Sequence, residues 1–300
     1  ACCHYYQLST DAPKHYQSFS EQSIEGIISS TDTDRIGIGE ATTKYNHLPE
    51  EAGRMQTAVQ LYSFRDSPLS LTEQLEAIAE AGFDGVEFAG LDADIDRARS
   101  ALERLDLAAP SAHVPLSTLE SGVESAVRPY RELGVETVVI PILDSERLAA
   151  GTICEAAAAI DSVAAEVGAS DLDLAYHNHD AEFDRVDGRF ALDVLLEETD
   201  VGLELDIGWA TAAEADPVAL IDRYGDRLAA IHCKDVRLDA TAPRGGVPVD
   251  LGEGDVDLDG CLDAAAEAGV EWIVYEHDAP ADPLESLQAA GDWFDRRTLR

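Results

Sequence analysis

Short apolar runs alternate with longer, Ala- and Glu-rich stretches eight times between Met55 and the end of the chain. Runs of the first kind form buried strands and stretches of the second kind form helices, so the alternation is typical of βα units repeated along a parallel sheet. We predict strands near residues 57–62, 84–88, 107–113, 136–141, 172–177, 201–206, 228–232 and 271–275. Each strand should be followed by a helix of about three turns.

The number of units selects between two α/β architectures. Eight units in the 246 residues from 55 to 300 match the roughly 250 residues of a (β/α)8 barrel. The alternative, an open doubly wound sheet, requires a Gly-rich phosphate-binding turn after the first strand, and residues 60–64 (Gln-Leu-Tyr-Ser-Phe) do not supply one. We therefore predict an α/β fold, a (β/α)8 barrel of the TIM type, over residues 55–300.

Helix boundaries in the sequence are consistent with this assignment. A side-chain oxygen before a helix and a carboxylate three residues later satisfy free backbone amides. Three such pairs are Ser70 with Glu73, Ser117 with Glu120, and Thr152 with Glu155. Asp216-Pro217 supplies a cap followed by a proline, and Gly82, Gly134, Gly168 and Gly269 are predicted to end helices in the left-handed conformation.

Residues 1–54 differ in composition from the rest of the chain. They hold four of the nine Tyr and two of the three Lys and show no sustained periodicity, and they are followed by Met55, the only Met. We interpret this segment as an upstream extension, disordered or not native to the protein, that precedes the barrel domain. A small accessory domain is the alternative.

The charge of the chain excludes some functions. With 60 acidic and 21 basic residues the net charge is −39, which opposes binding to nucleic acid and to anionic membrane surfaces. Of the 21 basic residues 18 are Arg, and the lysines are Lys14, Lys44 and Lys234. An acidic, Lys-poor surface indicates a halophilic protein kept soluble in high salt, an ordinary acidic cytosolic protein being the alternative.

Cysteine usage and hydropathy bear on the compartment. The five cysteines have no C-x-x-C spacing, so neither a disulfide framework nor a thiolate zinc site is indicated. No apolar run approaches the roughly 20 residues of a membrane span, and the first residues lack the layout of a signal peptide. We expect a cytoplasmic protein.

Polar side chains collect where the predicted strands end. All five histidines after Met55 fall at such ends. In order along the chain the polar and aromatic residues at the strand ends are Gln60, Tyr62, Glu87, His113, His177, Asn178, His179, Glu182, Asp206, Trp209, His232, Lys234, Glu276, His277 and Asp278. Because the carboxyl ends of barrel strands face one common opening, these side chains are expected to converge.

Asp206, His232 and Glu276 each directly follow a short apolar strand, which makes them the firmest candidates for metal ligands. Imidazole and carboxylate ligands suit Mn²⁺, Mg²⁺, Co²⁺ or Zn²⁺. For Asp206 a helix-capping or turn role is the alternative.

Lys234 is the only lysine after Arg54, on a chain that otherwise uses arginine. A compact ammonium at the barrel opening can neutralise a developing enolate or hold a substrate oxygen. The alternative is a structural salt bridge to Asp235 or Glu276.

Five segments together resemble a known family. They are Gln60-Leu61-Tyr62-Ser63, the run from Tyr176 to Phe183 (Tyr-His-Asn-His-Asp-Ala-Glu-Phe), Asp206-Ile207-Gly208-Trp209, His232-Cys233-Lys234-Asp235 and Tyr275-Glu276-His277-Asp278. In this order the segments are similar to those of the sugar phosphate isomerase/epimerase family of xylose-isomerase-like barrels, and the resemblance covers residues 55–300.

The resemblance implies a divalent metal held by two Glu, one Asp and one His from strands five to eight, with the Glu residues acting as acid and base. Carried over, three of the ligands are Asp206, His232 and Glu276. On strand five many members have Glu where this chain has His177, so either His177 or Glu182 fills the fourth position. We prefer Glu182, which preserves the charge and a base.

These considerations predict a metal-dependent isomerase or epimerase that abstracts a proton next to a carbonyl of a keto-sugar or polyol. The predicted metal ligands are Glu182, Asp206, His232 and Glu276. The predicted catalytic residues are Glu182, Glu276, Lys234 and His177. The predicted substrate-binding residues are Gln60, Tyr62, Glu87, His113, His179 and Trp209.

A dehydratase of a keto-inositol or 3-keto-sugar is the alternative, and an endonuclease-type or non-catalytic sugar-binding barrel ranks below it. The expected partner is a small sugar or polyol, with neither nucleic acid nor membrane, and a homo-oligomer is allowed for. The sequence does not select the substrate, the stereochemistry or the metal.

Overall fold

The computed structural model describes residues 54–91 and 93–297, and in this part of the chain eight parallel strands close into a barrel. The strands are β1 (Gln56–Gln60), β2 (Gly85–Ala89), β3 (Ser111–His113), β4 (Thr137–Ile140), β5 (Asp173–His177), β6 (Gly202–Asp206), β7 (Leu228–Cys233) and β8 (Trp272–Tyr275). The predicted (β/α)8 barrel is confirmed. Apart from Arg54, the predicted N-terminal extension lies outside the described residues.

Ten α-helices surround the barrel in the described part of the chain. They are α1 (Leu71–Glu80), α2 (Ile95–Leu105), α3 (Leu116–Glu120), α4 (Val123–Arg131), α5 (Ile153–Gly168), α6 (Ala191–Glu197), α7 (Ile207–Ala212), α8 (Pro217–Tyr224), α9 (Leu258–Glu267) and α10 (Pro283–Asp295). None of the described helices is both long and apolar enough to cross a bilayer.

The strand register brings specific strand-end residues side by side. Strands β1 and β8 pair in parallel and close the ring, with Val59 opposite Tyr275. Gln60 lies opposite Glu87, and Asp206 lies opposite His232. Since neighbouring parallel strands run in one direction, these polar residues gather at the carboxyl end of the barrel.

Two antiparallel hairpins leave the barrel on this same side. The smaller hairpin pairs Arg185–Val186 with Arg189–Phe190 after β5. The larger hairpin pairs Asp235–Leu238 with Gly246–Val249, directly after β7. Asp235 anchors the larger hairpin, because its carboxylate accepts hydrogen bonds from the backbone amides of Gly252 and Gly254, both at 2.9 Å.

Local backbone chemistry explains where the elements differ from expectation. Strand β3 is shorter than predicted because Pro110 precedes it and has no N–H for a ladder. The chain turns immediately after β1, since the side chain of Gln60 accepts from the Tyr62 amide at 3.1 Å and starts a 3₁₀ turn. Tyr62 therefore lies in a turn and not at the strand end.

The predicted helix caps are confirmed in part. Ser70 and Glu73 form a reciprocal capping box, and Asp216 caps α8 before Pro217. The prediction for Ser117 is wrong, because α3 already begins at Leu116 after Pro115, without a side-chain cap. Thr152 is the residue before α5 but makes no cap hydrogen bond.

Three of the four predicted helix-ending glycines, Gly82, Gly134 and Gly269, have positive φ angles. The prediction for Gly168 is wrong. Gly168 is the last residue of α5, and the positive φ falls on Asp171.

The apolar core lies between the barrel and its helices. Phe83, just before β2, packs against Tyr275 of β8 and Phe294 of α10, with ring centroids 6.1 Å and 5.9 Å apart. Burying one such aromatic or aliphatic side chain contributes about 1.5–3 kcal/mol. Helix α10 thus contacts the aromatic cluster that Phe83 forms with Tyr275 of β8.

Replacing Gly291 by Ala should destabilise the fold. A Cβ at this position of α10 would collide with the carbonyl oxygen and carbon of Ala81, so the packing gap must widen at a cost of about 1–3 kcal/mol in the free energy of unfolding. Denaturant unfolding at constant salt measures this cost. Gly151→Ala is the matched control, because nothing lies within 4 Å of a Cβ there. Equal stability of the two variants would contradict the close approach.

Candidate metal centre

The carboxyl ends of the strands line a cavity of about 790 Å³. Its walls include the imidazoles of His113, His177 and His179, the carboxylate of Glu276 and the rings of Tyr62 and Trp209. Tyr62 is 44% exposed and lies at the outside of the cavity, whereas Trp209 is only 4% exposed. The volume lies in the range of small-molecule sites.

Four buried residues at the floor of the cavity form a group that we call the upper group: His177, Asp206, His232 and Glu276. Each offers one ligand atom, and these atoms lie within 4.8 Å of one another. Nε2 of His177 is 3.7 Å from Oδ2 of Asp206, and Nδ1 of His232 is 3.1 Å from Oε2 of Glu276. The structure thus brings Asp206, His232 and Glu276 together and adds His177 to them.

The backbone around Asp206 holds its carboxylate in place. Asn178 donates to the Asp206 carbonyl at 3.2 Å and accepts from the Asp206 amide at 3.0 Å. Oδ1 of Asp206 accepts from the amide of Trp209 at 2.8 Å and so caps α7. Asp206 therefore has the capping role considered as the alternative, through Oδ1, while Oδ2 faces the upper group.

Lys234 lies against the upper group. Its Nζ is 2.9 Å from Oδ2 of Asp206, 2.9 Å from Oε2 of Glu276 and 2.6 Å from Oδ2 of Asp278. It also lies 5.0 Å from the centre of the Trp209 ring. Burial opposes the charge, but the three carboxylates outweigh it and raise the pKa of Lys234, so the ammonium stays charged.

A second set of residues, which we call the lower group, lies beneath: Glu87, His113 and Glu204. Nε2 of His113 is 3.1 Å from Oε1 of Glu87 and 2.7 Å from Oε2 of Glu204. Gln60 and Ser111 both donate hydrogen bonds to the Glu87 carboxylate. A further set, which we call the second cluster, draws on both groups: the ligand atoms of His113, His177, Glu204 and His232 also lie within 4.8 Å of one another.

The charges in the two groups perturb the titration of their members. Burial alone would raise the pKa of Glu87, but His113 and His232 outweigh it and hold that pKa well below its usual range. Burial alone would lower the pKa of His113, but Glu87 and Glu204 raise it to about 10. Burial lowers the pKa of His179 to about 3, with a contribution from Lys234. His179 is therefore a neutral imidazole on the cavity wall.

The donor set fits a divalent metal ion. Oδ2 of Asp206 is buried and takes part in no hydrogen bond with the described residues, and its charged neighbour is the Lys234 ammonium at 2.9 Å. That ammonium is shared with Glu276 and Asp278, so a single positive charge serves three carboxylates, and a divalent ion would add to the compensation. Two imidazoles and two carboxylates suit Mn²⁺, Co²⁺ or Zn²⁺. The upper group is thus the set of residues that would hold the ion.

Glu182, the preferred fourth ligand from the sequence, lies in neither cluster. Its carboxylate accepts a hydrogen bond from the Tyr176 hydroxyl and another, at 2.8 Å, from the amide of His179. A 3₁₀ turn, Ala181–Phe183, folds the side chain back onto β5. Its assignment as a ligand and base remains a prediction, and the geometry favours His177 for the ligand position.

Glu204 is the residue of this centre that the sequence argument missed. It lies two positions before Asp206 on β6, and residues two apart on a strand face the same side. A carboxylate in the middle of an otherwise apolar run (Val-Gly-Leu-Glu-Leu) was the available signal. Asp278 and Arg244, which also line the cavity, were not predicted as site residues.

Comparison with known proteins agrees with the fold. The model of the family described as xylose isomerase-like TIM barrel matches residues 75–297, so the chain belongs to this family. The rhizopine catabolism protein MocC of Rhizobium meliloti is 34% identical over 128 residues, 38% of each chain. An inosose dehydratase of Halalkalibacterium halodurans is 31% identical over 175 residues, 52% of this chain and 55% of that protein.

The solved structures show a similar barrel. A crystal structure of the IOLI protein with a bound zinc atom superimposes with a TM-score of 0.68 at 16% identity, covering 81% of this chain and 97% of that one. This likeness concerns the fold. The matches to the four curated relatives span only 38% to 55% of their lengths.

Binding of a divalent ion should weaken as the pH falls. Burial, partly opposed by Lys234, raises the pKa of Asp206 to about 6, so below that pH a proton competes for this carboxylate. We expect roughly a tenfold loss of affinity per pH unit for each proton displaced. Calorimetric titration with Mn²⁺ between about pH 5 and about pH 8 at fixed salt measures it. A flat profile would contradict the role of Asp206.

Proposed function

We propose that this protein is a divalent-metal-dependent isomerase or epimerase, which removes a proton next to a carbonyl of a keto-sugar or related polyol. The observation that carries the proposal is the upper group, two imidazoles and two carboxylates buried at the floor of a cavity of about 790 Å³ with the Lys234 ammonium beside them. When bound, the ion would polarise the carbonyl and disperse the charge of the enolate.

The residues around the upper group supply the remaining chemistry. Lys234 provides a fixed positive charge near the place where enolate charge develops. Glu276 lines the cavity, and Lys234 and His232 outweigh burial and hold its pKa well below the usual range. It is therefore an ionised carboxylate that can accept a proton.

His179 is the candidate for the second proton-transfer group, on the face of the substrate opposite Glu276. Its imidazole lines the cavity, and its Nδ1 is buried and takes part in no hydrogen bond with the described residues. A neutral imidazole in this position can accept a hydrogen bond from a substrate hydroxyl or exchange a proton with carbon. Glu276 and His179 are thus two groups between which a proton can be removed and returned.

Dehydration is the second candidate. The observation that favours it is the similarity to an inosose dehydratase, 31% identical over 175 residues. After the same proton removal, loss of a hydroxyl from the neighbouring carbon would replace return of the proton. For this chain the corresponding substrate class is a cyclic keto-polyol.

One experiment separates these outcomes. Protein loaded in turn with Mn²⁺, Mg²⁺, Co²⁺ or Zn²⁺ is incubated in deuterated water with keto-sugars and keto-inositols, and proton NMR follows the substrate. Deuterium in an isomeric sugar supports the isomerase, whereas loss of water supports the dehydratase. Absence of exchange with every metal and substrate class would contradict the proposal.

His232→Ala should abolish the metal-dependent exchange while the barrel stays folded, because it removes one of four ligands. A loss of at least about 10²-fold in rate is expected. Tyr224→Phe is the matched control, since this buried hydroxyl bonds Asp193 away from the cavity. Circular dichroism checks the fold of both variants. Wild-type activity of His232→Ala would remove His232 from the site.

A further inference from the structure

We infer that Glu204 is a positioning residue that fixes the tautomer and orientation of His177 and His232 for metal binding. The inference rests on the proposed metal site. Its basis is that both imidazoles of the upper group turn one ring nitrogen towards that group and the opposite nitrogen towards the lower group.

One carboxylate oxygen of Glu204 contacts both imidazoles of the upper group. Oε2 of Glu204 lies 2.9 Å from Nδ1 of His177 and 3.1 Å from Nε2 of His232. Nε2 of His113 approaches the same oxygen at 2.7 Å. At the ring of His232 the nearer partner is Glu87, whose Oε1 lies 2.8 Å from Nε2, so Glu87 and Glu204 hold that ring together.

Counting hydrogens determines the tautomers. Oε2 of Glu204 is approached by three ring nitrogens and accepts hydrogen bonds from them, so these nitrogens carry hydrogens. In the neutral imidazole of His177 this leaves a lone pair on Nε2. Nδ1 of His232 shares a hydrogen with Glu276 in the metal-free protein, and its lone pair becomes free once an ion displaces that hydrogen. These two nitrogens face Asp206 and Glu276, at 3.7 Å and 3.1 Å. Glu204 thereby favours the tautomers whose free nitrogens face the upper group, which would hold the ion.

The same geometry argues against a metal in the second cluster (His113, His177, Glu204 and His232) while the upper group is filled. Both clusters use His177 and His232, through opposite nitrogens. Filling both would require each imidazole to lose both ring protons. The upper group opens onto the cavity through His177 and Glu276, whereas Glu204 is completely buried and does not line it. The lower carboxylate therefore orients the ligands.

Glu204→Gln is the central test, because it keeps the shape and removes the charge. We expect the affinity for Mn²⁺ and Zn²⁺ to fall about 10- to 100-fold, the usual effect of losing a carboxylate behind a ligating histidine. Competition with a chelator measures the affinity. Asp193→Asn is the matched control, since this buried carboxylate bonds Tyr224 and belongs to neither cluster; its affinity should equal that of the wild type.

Two further variants locate the ion. Asp206 belongs only to the upper group and His113 only to the second cluster. Asp206→Asn should reduce affinity more than His113→Gln. The reverse order would place the ion in the second cluster, make Glu204 a ligand and overturn the inference.

A tautomer measurement keeps the inference separate from the proposed function. Long-range ¹H–¹⁵N spectra of the metal-free protein should show His177 protonated on Nδ1, and Glu204→Gln should shift this population towards Nε2. An unchanged His177 tautomer, or an unchanged metal affinity, would contradict the role of Glu204. Failure of the wild-type protein to bind any divalent ion would instead contradict the proposed function, whatever the tautomer.

Discussion

Compensation of buried negative charge is the constraint on which the centre of this barrel depends. Glu87, Glu204, Asp206 and Glu276 are all almost fully buried at the carboxyl ends of the strands. Taking a carboxylate out of water costs several kcal/mol unless cations or hydrogen-bond donors surround it. Here the compensation comes from three imidazoles and one ammonium, and each is shared between at least two carboxylates. A divalent ion at the upper group would complete the balance.

Neighbouring barrel strands hold these charged side chains in fixed positions relative to one another. Asp206 and Glu204 stand two residues apart on β6, so one strand supplies both a proposed metal ligand and the carboxylate that contacts the rings of His177 and His232. Hydrogen-bonded neighbours, β5 and β7, carry His177 and His232. Sites built on such elements hold their side chains more closely than sites on loops. The chain as a whole carries 60 acidic and 21 basic residues, and the adaptation of the protein to high salt and its cytoplasmic location stay predictions from the sequence.

The sequence predicted the barrel because its signal is repeated and local. Asp206, His232 and Glu276 could be proposed as a set because each ends an apolar run, and parallel topology brings such ends together. The sequence did not predict Glu204 because this residue lies inside an apolar run, where no strand end marks it as part of a site. The choice between His177 and Glu182 depended on the path of the chain after β5. The 3₁₀ turn Ala181–Phe183 sets that path through contacts with Tyr176 and His179, which no local pattern encodes.

The larger hairpin after β7 shapes the cavity without being part of the barrel. It begins at Asp235, next to Lys234, and brings Arg244 and Pro248 to the cavity wall. Its strands pair only with each other and take no part in the hydrogen-bonded ring. Substitutions or insertions at its tip can therefore reshape the cavity wall around Arg244 and Pro248 without disturbing the strand register or the upper group. The shape of the cavity entrance and the arrangement of the buried charged residues are thus set by separate parts of the chain.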